Sequence, residues 1–250
     1  MSLTTDNLAV GYGTRIVLGD LNLKLSDDSL TVLIGPNGSG KSTLLRTLSG
    51  RQTPLAGHIA VDGERIDGIS PAKLARKIAV VFTDRSGGGG LRVDELVAIG
   101  RHPYSGFFGH LSPNDRQAVA EAIDSVGMAH KAQSMVASLS DGERQKVMIA
   151  RAIAQQTPVI ILDEPTAFLD VSSRFETLDL LVRLAHDNKR SILLSTHDIG
   201  PSLAVADNVW AVAGSHIATG PTDELRQSGI LDRVFRGVRF NDVKGDYEAR

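Results

Sequence analysis

Gly35-Pro36-Asn37-Gly38-Ser39-Gly40-Lys41-Ser42-Thr43 follows directly on the apolar run Thr31-Val32-Leu33-Ile34 and leads into a helical stretch, Ser42 to Leu48, stopped by Gly50. A glycine loop between a buried strand and a helix start leaves little choice of fold, because the strand must lie inside a sheet that the helix then covers. Gly35, Gly40, Lys41 and Ser42 meet the pattern G-x-x-x-x-G-K-[ST]. Glycines let backbone N–H groups turn toward phosphates, and the helix N-terminus adds partial positive charge. Lys41 reaches the outer phosphates and the Ser42 hydroxyl suits Mg²⁺. The alternative, a glycine-rich turn with a surface lysine, does not need the flanking strand and helix.

Ile78 to Phe82, Val159 to Leu162 and Ile192 to Leu194 are further unbroken apolar runs, the mark of strands buried on both faces, and helical segments alternate with the later ones. This predicts a parallel α/β sheet with ligands at the carboxyl ends of its strands. Alternating patterns at Leu8 to Val10, Leu21 to Leu25 and around Ile59 predict an N-terminal antiparallel sheet. From about Val93 to Gln156 helix follows helix (Val93 to Ile99, Pro113 to Val126, Glu143 to Ala154), which predicts an inserted helical lobe at about 93–156 within a single domain of residues 1–250. Gly87 to Gly90 read as a joint ahead of it.

Asp163 ends the Val159 run, where it can hold Mg²⁺ beside Ser42, and Glu164 comes next, placed to take a proton from an attacking water. Two surface acids before Pro165 are the plainer reading. His197 follows Ile192-Leu193-Leu194-Ser195-Thr196 and so stands at another strand end. It is either a structural histidine or a hydrogen-bonding partner of the γ-phosphate that positions the water. Ser140-Asp141-Gly142-Glu143 fits the capping box S-x-x-E, and a capped helix start with a bare glycine is also an anion site.

Together, Tyr12, residues 35–43, Leu139 to Gln145, Val159 to Glu164, Asp170 and His197 resemble the A-loop, Walker A, signature, Walker B, D-loop and H-loop of the ATP-binding cassette (ABC) ATPases, in order and over essentially the whole chain. The resemblance implies a P-loop NTPase with a RecA-like parallel sheet core, an N-terminal antiparallel β subdomain and an inserted α-helical subdomain. It implies ATP and Mg²⁺ as ligands, and a head-to-tail homodimer in which Ser140 and Gly142 of one copy contact the γ-phosphate held by Lys41 of the other. Tyr12 would stack on adenine, unless it is a core aromatic of an edge strand. The family signature usually reads Leu-Ser-Gly-Gly-Gln, whereas this chain has Asp141 and Glu143. Both acids are expected to face away from the phosphates and stabilise the helix start. Where the family commonly has a glutamine that would touch Mg²⁺ or water, this chain has Thr83, which offers one oxygen, followed by Asp84 and Arg85.

Leu91 to Tyr104, with Phe107-Phe108-Gly109 and Leu111 to Asp115, is similar to the helical lobe of importers for iron-siderophore, haem and cobalamin. There the lobe receives a short helix of the membrane subunit, which would make His102, Tyr104, Phe107 and Phe108 interface; alternatively the two phenylalanines cover the lobe's own core. The resemblance thus implies integral-membrane permease partners, an indirect link to a substrate-binding protein, and a peripheral place on the cytoplasmic face of the inner membrane.

A net charge of −2 argues against nucleic acid as a partner. The absence of cysteine excludes disulfides and thiolate metal sites. No apolar run reaches the roughly 18 residues that cross a bilayer, and Met1 to Asp6 lack the features of a signal peptide. A soluble chain that borrows its membrane spans from other subunits is expected. The alternatives are a cassette of another ABC transporter class, which only residues 91–115 weigh against, or a non-transport P-loop ATPase, kinase or GTP-binding protein. A DNA-repair or translation ATPase would need a coiled-coil insertion or a second cassette, and a P-loop kinase would lack the Ser140 helix start and His197.

Overall fold

The computed structural model describes residues 2–82, 90–105, 110–234, 238–241 and 246–249. The chain begins with β1 (Leu3–Tyr12), β2 (Arg15–Leu21), β3 (Lys24–Leu25), β4 (Leu30–Ile34), α1 (Lys41–Leu48), β5 (Ala56–Val61), β6 (Glu64–Arg65), α2 (Pro71–Leu74) and β7 (Ile78–Val81). The helices α3 (Val93–Ala98), α4 (Pro113–Ser125) and α5 (Asp141–Ala154) come next. Strands and helices then alternate: β8 (Val159–Asp163), α6 (Val171–His186), β9 (Ser191–Ser195), α7 (Ile199–Val205), β10 (Asn208–Ala213), β11 (His216–Pro221), α8 (Thr222–Gln227), α9 (Ile230–Val234), β12 (Val238–Asn241) and β13 (Asp246–Ala249).

Every residue of β4, β8 and β9 is buried, because helices or a second sheet cover both faces of the sheet they form. Its order is β11-β10-β4-β9-β8-β7, parallel throughout except for β11. Side chains alternate across it. Val32, Ile160, Leu162 and Leu194 share one apolar cluster with Ala150 of α5 and Leu178 and Leu181 of α6. Leu33, Ile161, Leu193 and Trp210 share the other with Leu44, Leu45 and Leu48 of α1 and with Leu8 and Val10 of β1. Each such leucine contributes about 1.5–3 kcal/mol relative to its exposed state. The second sheet, β2-β1-β5-β6 with β3 on β1, is antiparallel, as its alternating pattern predicts.

The expected parallel strands and lobe helices are present, with ends that differ by a residue or two. Unanticipated are β10, β11 and α7, and β10 lies inside the sheet beside β4. Among the helices between β7 and β8, one buried ion pair does much of the joining. Arg101 Nε donates to Asp115 Oδ1 at 2.8 Å, and its Nη1 donates to the Ala154 carbonyl at 2.7 Å and to Gln156 Oε1 at 2.8 Å. Asp115 also accepts from the Ser112 hydroxyl at 2.6 Å and from its backbone N–H at 3.0 Å, closing the cap of α4. The Ser112 hydrogen bonds and the Arg101 guanidinium hold its carboxyl down at about 2.

Because β4, β8 and β9 run parallel side by side, their carboxyl ends open on one edge. There Asp163 pairs in register with Ser195.

Candidate active site

Three strand ends and the first hairpin build the site. The loop after β4 reaches α1 through Gly40, whose φ of 99° is open to glycine and whose added Cβ would meet Val17 Cγ1 at 2.6 Å. Lys41 is only 6% exposed, and its Nζ donates to the carbonyls of Gly35 at 2.8 Å and Pro36 at 3.1 Å. Burial pushes its pKa down, while the Glu164 and Asp163 carboxylates pull the other way. A cavity of about 340 Å³ opens here, between Tyr12, Arg15 and Val17 of the hairpin, Asn37, Gly38 and Gly40 of the loop, the first turn of α1 and Glu164. That is the size of a small-molecule site. Tyr12 is 55% exposed, which excludes the core-aromatic reading, and its hydroxyl lies 3.1 Å from Thr43 Oγ1. Arg15 and Val17 belong to the lining without having been picked out in the sequence. A larger hollow of about 570 Å³ among the helices, near Arg92, Arg116 and Ile123, contains none of these residues, so size alone does not locate the chemistry.

At the end of β8, Asp163 Oδ1 accepts from the Ser195 hydroxyl at 2.6 Å and the Ser42 hydroxyl at 3.2 Å. Glu164 turns out of the strand with φ of 50°, a conformation that costs a non-glycine residue energy. Its N–H is caught by Ser195 twice, at 3.0 Å by Oγ and 3.1 Å by the carbonyl. Ser195 thus fixes both carboxylate residues, and the sequence signalled it only as the residue two before His197. His197 Nδ1 lies 3.4 Å from Glu164 Oε2, with side chains 58% and 32% exposed, so the two face the same open edge. Ser42 and Asp163 offer only oxygen, the donor chemistry that fits Mg²⁺ and not a softer metal. Thr83 lies outside the described residues, as do Asp84, Arg85, Phe107 and Phe108.

Ser140 caps α5, accepting from Glu143 N at 3.3 Å while Glu143 Oε2 accepts from Ser140 N at 3.1 Å. Lys131 Nζ sits 2.5 Å from Glu143 Oε1, and that contact, with the Ser140 N–H, lowers the Glu143 pKa. Glu143 is therefore bound within its own chain, in the capping role expected of it, and Asp141 is exposed in the first turn. Gly142 is buried, and a Cβ there would meet Ser173 Oγ at 2.6 Å and Ser173 Cβ at 2.9 Å. The close approach of α6 thus demands glycine on its own account. Asp170 is the N-cap of α6, accepting from Ser173 N at 2.9 Å and from its hydroxyl at 2.8 Å. None of residues 140–143 lines the cavity at Lys41.

A groove of about 480 Å³ runs between the end of α1, α2, β7 and the far end of α5, with His102 in its wall. Tyr104 is engaged within the chain. Its ring centroid is 4.0 Å from the Arg101 guanidinium carbon and 5.0 Å from that of Arg76, and its hydroxyl donates to the Gln155 carbonyl at 3.0 Å.

Residues 18–167 match the ABC transporter family. The iron(3+)-hydroxamate import ATP-binding protein FhuC of Bacillus subtilis is 38% identical over 94% of this chain and 88% of its own length. The ferric enterobactin transport ATP-binding protein FepC of Escherichia coli is 36% identical, over 95% and 88%. Among solved structures, an inward-facing transporter assigned to the metal-chelate type has a chain that superposes with a TM-score of 0.83 at 28% identity, covering 100% of this chain and 96% of that one.

Proposed function

The chain belongs to the ABC transporter family, and from that premise we propose that it is the ATP-hydrolysing subunit of an importer, with an iron chelate or cobalamin as the transported compound. Residues 1–250 act as one nucleotide-binding domain whose helical lobe spans about 93–156. Tyr12, exposed beside the loop, stacks on adenine. Residues 35–43 wrap the phosphates, and Lys41 exchanges the Gly35 and Pro36 carbonyls for phosphate oxygens. Ser42 and Asp163 hold Mg²⁺, which when bound neutralises phosphate charge. Glu164 accepts the proton of the attacking water, and His197, 3.4 Å from it, orients that water against the γ-phosphate.

The observation that carries the reading is the one-sidedness of the site. The cavity is lined by the loop, the hairpin and Glu164, while Ser140 and Gly142 stand elsewhere on a capped helix start. A second copy supplies that helix start, and its Asp170 segment lies at the junction, so the working unit is a homodimer around two ATP molecules. Closure of the dimer pulls on permease subunits seated in the groove beside His102, and hydrolysis releases it. A substrate-binding protein delivers the cargo, which never touches this chain. The permeases supply the membrane spans and the chain lies on their cytoplasmic face; among the described residues no helix is long and apolar enough to cross a membrane. Glu164→Gln tests the reading. It should bind ATP, lose turnover and elute as a nucleotide-bound dimer on a sizing column; normal turnover removes Glu164 from its role.

A further inference from the structure

His197 is held in place by little of its own. Its side chain is 58% exposed, and its ion pair within the described residues is with Glu164 at 3.4 Å. Its position must come from the turn that carries it. On one side, Asp198 N donates to Thr196 Oγ1 at 2.9 Å. On the other, the Asp198 carboxylate is gripped from α6, where Arg174 Nη1 lies 2.6 Å from Asp198 Oδ2 with side chains only 29% and 22% exposed. The same guanidinium donates through Nη2 to the Leu169 carbonyl at 3.4 Å, and its Nε is buried without a hydrogen-bond partner among the described residues. A half-shielded guanidinium with two anchors is a stiffer tether than a surface ion pair. Arg174 also follows Ser173, the residue that fills the space beside Gly142.

We infer that Arg174 is a positioning residue for hydrolysis: by clamping Asp198 to α6 and to the Leu169 carbonyl, it fixes the turn that presents His197 to Glu164. The inference rests on the role proposed above for His197. Among the described residues the contacts of the Arg174 guanidinium go to Asp198 and the Leu169 carbonyl, neither of which lines the nucleotide cavity, so its effect falls on turnover and not on ATP affinity.

The test is steady-state ATP hydrolysis by the full chain. Arg174→Gln should lower kcat about tenfold, equivalent to about 1.4 kcal/mol of barrier, with KM for ATP held within about twofold. Arg174→Lys, which keeps the charge, should recover part of the loss. Asp198→Asn should match Arg174→Gln, and the double variant should be no worse than either single, since both cut one link. Added to His197→Ala, Arg174→Gln should change the residual rate little. If Arg174→Gln does not fold, Asp198→Asn carries the same test from the other end. Wild-type kcat in Arg174→Gln and Asp198→Asn while His197→Ala is inactive overturns the clamp alone, as does a full further loss on the His197→Ala background. Wild-type turnover in His197→Ala overturns the parent assignment instead, and the clamp with it.

Discussion

Replacing Gly142 with alanine separates two reasons for a glycine at that position. The added Cβ would meet Ser173 Oγ at 2.6 Å and Ser173 Cβ at 2.9 Å, and the hydroxyl cannot simply swing away because it donates to Asp170 Oδ2 at 2.8 Å. Overpacking of this kind costs about 1–3 kcal/mol, partly offset by up to about 1 kcal/mol from the better helix propensity of alanine. The net loss should be about 1 kcal/mol, visible as a fall of a few tenths molar in the urea midpoint, given slopes of about 1–3 kcal/mol/M or more. Ser173→Ala removes the closer contact. In that background Gly142→Ala should cost at least about 0.5 kcal/mol less, the coupling expected of touching residues. ATPase activity should follow the packing, because the added methyl points at Ser173 of its own chain and not across the helix start. The double variant should regain rate together with stability. An equal cost of Gly142→Ala in both backgrounds refutes the packing argument, and a rate that stays low after stability has returned refutes packing as the whole reason for the glycine.

Lys41→Ala should abolish ATP binding in a calorimetric titration, and an unchanged titration contradicts the loop assignment. Tyr12→Ala should weaken ATP binding about fivefold, near 1 kcal/mol, with no change in thermal stability because the ring is 55% exposed; Tyr12→Trp should retain affinity. The Asp115 carboxyl lies at about 2 against an ordinary 3.8, so its stabilising effect is full above about pH 4 and is lost as pH falls toward 2. Asp115→Asn should therefore be less stable than wild type at pH 7 in urea melts, with the gap closing on acidification; a gap independent of pH contradicts this.

The strands that end in the site were legible because burial on both faces leaves no polar positions, as in Val159-Ile160-Ile161-Leu162. β10 escaped notice although it is equally interior, since its alanines and the asparagine at its start dilute the apolar signal, and nothing local says that it pairs with β4. Loop, carboxylates and capping box were readable because their chemistry is written in consecutive residues. Ser195, Arg174 and the packing of Gly142 were not, because each acts through a partner many residues away: Asp163, Asp198 and Ser173 respectively. The partners of Tyr104 within its own chain were hidden for the same reason: its ring centroid lies 4.0 Å from the Arg101 guanidinium carbon and 5.0 Å from that of Arg76, which stands 28 residues away in sequence.

The sharing of each site between two copies is tested most directly by mixing two inactive variants, Lys41→Ala and Ser140→Arg, and measuring ATP hydrolysis. In a mixed dimer the intact Lys41 of one copy meets the intact Ser140 of the other, so one of the two sites is whole. An equimolar mixture should recover about a quarter of the wild-type rate if copies pair at random in a twofold dimer. Activity no greater than that of either variant alone would contradict the shared site.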